Sequence, residues 1–282
     1  MSTGKNSSNP PTGVTPGYLH GYSEKEQDRL YQQARFLEPS VYGRVDFSKQ
    51  TKIIEVGCGV GAQTEILLER FPHLRIHGVD ASEKQILRAR EHLKKHVNAN
   101  QVTYDVGDAL HLPYKDNTFD GAFLCWLLEH VQEPIGILEE VRRVLQTGAI
   151  IYCSEVLNAT LYLNPYSPAT LQYWFAFNDH QWMLKGDPFV GAKLANYLLA
   201  AGYQNVTTEV KVEYFDNRMP KKRAQWIEYW TSLLLSGAPG LLEAGKVTTE
   251  VVDEMQRELG RLKDDPDAVF FYSWVQARAQ AL

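Results

Sequence analysis

Three glycines at alternate positions, Gly57, Gly59 and Gly61, directly follow a short apolar run that predicts a strand over 52–56. Glycine at these positions lets the backbone turn sharply and approach a ligand without interference from a Cβ atom. Asp80 follows the second predicted strand, about 20 residues beyond the glycines, which is the separation at which an acid meets ribose hydroxyls. These residues together indicate a nucleotide site.

Further candidate residues follow the next two predicted strands. Gly107, Asp108 and Ala109 come directly after the third strand, and the Asp108 carboxylate is suited to accept from an adenine amino group. Cys125 comes at the end of the fourth strand. Because a parallel sheet binds its ligands at the carboxyl ends of its strands, we expect these residues to lie close to Gly57.

The glycine pattern alone fits two classes of nucleotide-binding protein. Residues 57–62 also satisfy the dinucleotide pattern G-x-G-x-x-G/A, so a nicotinamide oxidoreductase is an alternative reading. Dinucleotide folds commonly open the chain with this turn, whereas here about 50 residues precede it and an acid, Glu55, lies inside the strand. These two features favour a different nucleotide cofactor.

The candidate residues lie in four segments, 54–61, 78–82, 107–114 and 119–123. Together these segments resemble class I S-adenosylmethionine-dependent methyltransferases, in particular the small-molecule group that includes the ubiquinone and menaquinone biosynthetic enzymes. The resemblance spans 53–156 and implies S-adenosyl-L-methionine as the cofactor. It places the glycines under the methionine and ribose, Asp80 at the ribose diol, and Asp108 with Ala109 at the adenine. The expected cofactor site also includes Glu55, Cys58, Ala81, Gly107 and Cys125.

Two other parts of the chain bear on this resemblance. Residues 18–22, with Arg29 beyond them, resemble an N-terminal helix that folds over the cofactor in relatives. The resemblance implies that Tyr22 and Arg29 reach the methionine carboxylate, Arg29 through a bidentate pair. The family often has a Lys-Pro-Gly-Gly turn before the fifth strand, where this chain has Gln-Thr-Gly-Ala at 146–149. We expect that departure to affect only a surface turn.

The elements that must position this site alternate between short apolar strands and helices. This alternation predicts an α/β fold: a doubly wound, mostly parallel, seven-stranded Rossmann-like sheet with a final antiparallel strand and a helical lid. The predicted organisation is a disordered tail over 1–17, an N-terminal helical cap over 18–50, a cofactor-binding core over 51–156, a lid insertion over 157–190, and a C-terminal part of the core over 191–282 with lid helices over 220–262. The aromatic final strand suggests an exposed edge that pairs in a homodimer.

His130, just past the fourth strand and beside Glu129, is the candidate catalytic residue. Its imidazole is suited to take a proton from an incoming hydroxyl or ammonium near neutral pH. The acceptor pocket is expected in the elements that cover the sheet edge, with aromatic and polar contacts from Tyr166, Trp174, Asn178 and Tyr214. No metal site is expected, because no acid completes a motif with the histidine pair at 92 and 96.

Composition limits the partners. A net charge of -5 argues against a sequence-independent grip on nucleic acid, which needs a concentrated basic face. An odd number of cysteines, three, fits a reducing compartment, so a cytoplasmic location is expected, and no apolar run approaches membrane-spanning length. The expected function is methyl transfer to a small molecule. The alternative is a cofactor-binding cyclase or regulatory protein that has lost methyl transfer.

Overall fold

The computed structural model describes Gly21 and residues 23–282, so the predicted tail over 1–17 and the candidate residue Tyr22 lie outside the described residues. One sheet organises the described part of the chain. Its strands are β1 (Lys52–Val56), β2 (Arg75–Asp80), β3 (Val102–Val106), β4 (Phe119–Cys125), β5 (Leu145–Val156), β6 (Tyr162–Asn164), β7 (Tyr203–Phe215) and β8 (Val269–Ala281).

The strand order is β3-β2-β1-β4-β5-β8-β7, with β1 to β5 parallel and β8 antiparallel to both of its long neighbours. This confirms the predicted Rossmann-like sheet with an antiparallel final strand. The short strand β6 is an addition that pairs with β8 beyond the end of β5. Because β8 lies between β5 and β7, the final strand has no open edge, and the reason given for a homodimer is therefore wrong. The two edge strands are β3 at one end of the sheet and β7 at the other.

Helices cover both faces of the sheet, as side-chain alternation along the strands requires. The helices are α1 (Glu24–Val41), α2 (Ala62–Arg70), α3 (Glu83–His92), α4 (Lys94–Asn98), α5 (Pro134–Val144), α6 (Pro168–Met183), α7 (Leu194–Ala200), α8 (Pro220–Glu243) and α9 (Thr249–Asp264). Ile53 joins a core cluster with α1, α2 and α3, whereas its neighbour Ile54 joins a second cluster with α5 and α7. Ser23 begins α1, where its hydroxyl accepts from the Glu26 amide at 3.2 Å.

Three helices, α6, α8 and α9, pack together as one helical layer next to the carboxyl edge of the sheet. The helix α6 runs from Pro168 to Met183, and its Trp174 packs edge-on against Trp230 of α8. The buried Glu258 of α9 accepts from the amides of Ala169 and Thr170, which fixes the start of α6. Across the described residues, no helix is long and apolar enough to span a membrane.

Candidate active site

A cavity of about 250 Å³ opens at the carboxyl ends of β1, β2 and β4. These strand ends form one side of the cavity, and residues of α1, α6, α8 and β8 form the other. Parallel sheets bind ligands at this edge, where the strand order reverses beside β1. The cavity is therefore in the position that the sequence predicts for the cofactor.

The glycine turn is held against β2 by its own backbone. The amides of Gly57 and Cys58 donate to the carbonyl of Val79 at 2.8 and 3.1 Å. Gly57 and Gly59 have φ values of 74° and 51°, which favour glycine. A Cβ atom at Gly59 would meet nothing within 4 Å, whereas one at Gly57 would lie 2.9 Å from Leu127. The turn thus offers bare backbone to the cavity.

Asp80 ends β2 and connects the glycine turn to the next helix. Its two carboxylate oxygens accept from the amides of Gly59 and Ser82, each at 2.9 Å. Loss of solvent raises the pKa of this carboxyl, although both amides oppose the shift. A ligand that donates further hydrogen bonds to Asp80 would stabilise the carboxylate form. A ribose diol is such a ligand.

Nine of the predicted cofactor residues lie in the wall of the cavity: Arg29, Gly57, Cys58, Gly59, Asp80, Ala81, Gly107, Ala109 and Cys125. Burial raises the pKa of both cysteine thiols, so they remain protonated and contribute packing rather than charge. The cavity wall thus joins residues from α1 and four different strand ends.

Three predicted cofactor residues lie behind the wall instead. Glu55 is buried between β1 and α2, where it accepts from the Thr64 hydroxyl at 2.5 Å, and burial raises its pKa to about 8. Asp108 accepts from the amide of Leu110 at 2.9 Å and so stabilises its own turn. Gly61 leaves room for the Tyr104 ring, whose hydroxyl would lie 2.6 Å from an added Cβ. All three support the site from outside the cavity.

Arg29 faces the cavity, but its guanidinium is already engaged within α1. It forms a bidentate pair with Glu26, at 2.8 and 2.5 Å, and donates to Gln33 at 2.6 Å. Both members of the pair are buried. A methionine carboxylate at this end of the cavity would have to compete with Glu26 for Arg29.

The turn after β4 contributes four residues to the cavity wall. Trp126, Leu127, Glu129 and His130 all belong to the wall. The Gln181 amide donates to the Glu129 carboxylate at 2.8 Å, and the other oxygen of Glu129 lies 3.7 Å from Nε2 of His130. His130 therefore combines access to the cavity with a nearby carboxylate, as expected for the candidate base.

The four residues predicted to contact the acceptor are placed differently. Trp174 belongs to the cavity wall. Asn178 lies behind it and accepts from the side chain of Asn158, which does line the cavity. Tyr166 is 77% exposed and Tyr214 is 43% exposed on the edge strand β7, so neither faces the cavity. The prediction was wrong for Tyr166 and Tyr214 because aromatic composition does not show which way a side chain points.

The central segment of the chain is similar to a known family. Residues 54–153 match the family described as a methyltransferase domain. This match supports S-adenosyl-L-methionine as the methyl donor.

Curated relatives and a solved structure are also similar to the chain. The chain is 28% identical to the methyltransferase GfsG of Streptomyces halstedii over 46% of both chains. It is 30% identical to the O-methyltransferase resE of Aspergillus sclerotiorum over 49% of this chain and 53% of that relative. The chain thus spans about half the length of these curated relatives. A solved structure from Bacillus halodurans C-125 has a TM-score of 0.55 at 16% identity, covering 88% of this chain and 97% of the other, and shows the shared fold.

Much of the cavity wall lies outside residues 54–153 and was missed by sequence reasoning. Trp226, Tyr229, Trp230 and Leu233 share one face of α8, at the i, i+3, i+4, i+7 spacing that could have revealed them. Tyr272 and Trp274 occupy alternate positions of β8. No described group of three or more His, Cys, Asp or Glu residues is arranged to hold a metal ion.

Proposed function

We propose that this protein transfers a methyl group from S-adenosyl-L-methionine to a small, largely apolar acceptor molecule, and that the helical layer acts as a lid over that acceptor. The supporting observation is a single cavity that joins the glycine turn and Asp80 to a wall of aromatic side chains from α6, α8 and β8. Aromatic walls suit planar or apolar ligands. The resemblance to quinone-biosynthetic methyltransferases supports an acceptor that carries a ring.

The residues of the cavity fit the cofactor. The bare backbone at Gly57 and Gly59 suits its methionine and ribose, Asp80 suits the ribose diol, and Gly107 with Ala109 lies where the adenine is expected. When bound, S-adenosyl-L-methionine supplies an electrophilic methyl group on a sulfonium. Transfer of that group depends strongly on alignment of the acceptor and exclusion of water, both of which an enclosed aromatic wall favours.

His130 is the proposed base for acceptors that must lose a proton. Its side chain is 22% exposed and lies in the wall, while Gln181 holds the adjacent Glu129 carboxylate in place. An imidazole in this position takes a proton from an acceptor hydroxyl or amine and releases it to solvent after transfer. The neighbouring carboxylate stabilises the imidazolium that forms.

Calorimetry with S-adenosylhomocysteine tests the cofactor site. Replacing Asp80→Asn removes the charge that the ribose hydroxyls need, so we expect about 10- to 100-fold weaker binding. Asp120→Asn is a matched control, since Asp120 also accepts from two backbone amides, of Thr51 and Lys52, but at the start of β4 on the opposite edge. An equal loss of affinity for S-adenosylhomocysteine in the two variants would contradict the assignment of Asp80. If NAD protects the protein from thermal unfolding and S-adenosylhomocysteine does not, an oxidoreductase is favoured instead.

Methyl transfer itself is tested with isotopically labelled cofactor and a panel of small metabolites. The proposal requires label in at least one acceptor. Tight binding of S-adenosylhomocysteine without label in any acceptor would instead support a cyclase or regulatory protein that has lost transfer.

A further inference from the structure

The turn over 126–130, here called the junction turn, belongs to both halves of the cavity. On the cofactor side, the side chain of Leu127 packs over Gly57, where an added Cβ would lie 2.9 Å from it. On the acceptor side, Glu129 and His130 lie in the wall. The conformation of this turn therefore sets the position of the proposed base relative to the cofactor floor.

The backbone of the junction turn needs external support. Trp126 has φ of 57°, a left-handed conformation that bulky residues rarely adopt. The turn continues as a 3₁₀ helix of three residues, Leu128–His130, which is too short to satisfy its own first amides. Without partners for those amides the turn would be free to rearrange.

Two consecutive residues of β5 provide that support. The Ser154 carbonyl accepts from the Trp126 amide at 2.9 Å. The fully buried Glu155 carboxylate then accepts from the amides of Leu127, Leu128 and Glu129 at 3.1, 2.8 and 3.3 Å. Four successive amides are thus bound by one strand. Glu155 itself is not part of the cavity wall.

We propose that Glu155 is a positioning residue for methyl transfer: its carboxylate fixes the junction turn and thereby the placement of Leu127 over the cofactor and of His130 beside the acceptor. This inference rests on the proposed function for its catalytic consequence, but its structural part stands alone. Burial and the nearby Glu129 raise the pKa of the Glu155 carboxyl, and the hydrogen bonds from the three backbone amides oppose that shift.

The junction turn also holds the helical layer. The Glu129 carbonyl accepts from the Asp187 amide at 2.8 Å and from the Gln181 side chain at 3.2 Å. An added Cβ at Gly186 would lie 2.4 Å from the same carbonyl, so the chain passes very close here. A displaced turn would therefore disturb the lid as well as the cofactor floor.

The test compares Glu155→Gln with Glu258→Gln by amide hydrogen exchange and by calorimetry with S-adenosylhomocysteine. A glutamine side chain keeps one acceptor oxygen but has an NH₂ group in place of the other oxygen. In both variants this NH₂ group faces a backbone N–H, so two donors meet and one hydrogen bond is lost. Glu258 is a matched control because it too is buried and accepts from two amides, those of Ala169 and Thr170, at the start of α6. Both variants should lose similar global stability.

In Glu155→Gln we expect exchange at 127–129 to become about tenfold faster and S-adenosylhomocysteine to bind about tenfold more weakly. In Glu258→Gln we expect faster exchange only at 169–170 and binding within about twofold of the unmodified chain. Unchanged exchange at 127–129, or an equal loss of affinity in both variants, would overturn the proposal. If the unmodified chain fails to bind S-adenosylhomocysteine, the proposed function fails, and the exchange data alone decide the role of Glu155.

If Glu155→Gln does not fold, the unmodified chain still provides a test. Its amides at 127–129 should exchange slowly although they begin a single turn beside a cavity. Rapid exchange of these amides would contradict the role of Glu155.

Discussion

Replacing Glu55→Gln should change how the stability of the protein depends on pH. Glu55 is 2% exposed in β1, and its carboxyl accepts from the Thr64 hydroxyl. Burial raises the pKa of its carboxyl from 4.5 to about 8, because the charged form loses its hydration without gaining a cation. Glutamine has the same shape and keeps an oxygen to accept from Thr64, but it cannot ionise.

The sign and size of the effect follow from proton linkage. Between pH 4.5 and 8 the folded protein keeps the Glu55 proton, whereas the unfolded chain has released it, so the free energy of unfolding falls as pH rises. The pKa difference of about 3.5 corresponds to about 5 kcal/mol at 1.4 kcal/mol per pH unit, as an upper limit. The contribution is fully present below pH 4.5 and fully lost above pH 8.

Urea unfolding of both proteins from pH 5 to pH 9 measures this contribution, since the other titrating groups cancel in the difference. The variant should gain stability relative to the unmodified chain as pH rises, by about 3 to 5 kcal/mol over the range. Exposed Glu243, replaced by Gln, is the control and should give a flat difference. If the difference in free energy of unfolding between Glu55→Gln and the unmodified chain is also independent of pH, Glu55 is not a neutral buried carboxyl and the reasoning is refuted.

Two other predictions concern the acceptor side and the helical layer. Replacing His130→Asn should lower kcat about 100- to 10,000-fold and leave the affinity for S-adenosylhomocysteine unchanged, as measured by steady-state kinetics and calorimetry; an unchanged kcat would remove the proposed base. Gly186→Ala should weaken the attachment of the helical layer and destabilise the protein in urea, because its Cβ would lie 2.4 Å from the Glu129 carbonyl. Gly260 lies in α9 with open space around an added Cβ, so Gly260→Ala should instead raise the free energy of unfolding by about 0.5 to 1 kcal/mol. A change of the same sign in the free energy of unfolding of both glycine variants would contradict this prediction.

The cofactor half of the cavity could be predicted because it is made of backbone and short side chains at strand ends. Gly57, Gly59 and Asp80 mark those ends directly in the sequence, and the order of a parallel sheet brings them together. The errors in that half concern which way a side chain points. Glu55 lies in the strand itself, so its side chain points into the core between β1 and α2, and sequence position alone gives no sign of this.

The pairing of Arg29 shows why a residue type is not enough. The N-terminal helix and the presence of Arg29 at the cavity could both be expected from the resemblance. However, Glu26 is three residues away on the same helix face, so the guanidinium has a partner before any ligand binds. This i, i+3 spacing explains why the Glu26 carboxylate turns towards Arg29.

The acceptor half could not be assembled from sequence because its parts come from distant elements. Trp174 on α6, Trp230 on α8 and Tyr272 on β8 meet only when the helical layer packs beside the final strand. Each has a local pattern compatible with ordinary core packing, so only tertiary contact distinguishes cavity wall from core. Substitutions in this wall should consequently change the acceptor while the glycine turn and Asp80, which belong to a separate part of the chain, continue to hold the cofactor. Under the proposed function, acceptor preference and cofactor affinity are thus separable in this fold, except at the junction turn, where Leu127 and His130 share a backbone whose amides donate to Glu155.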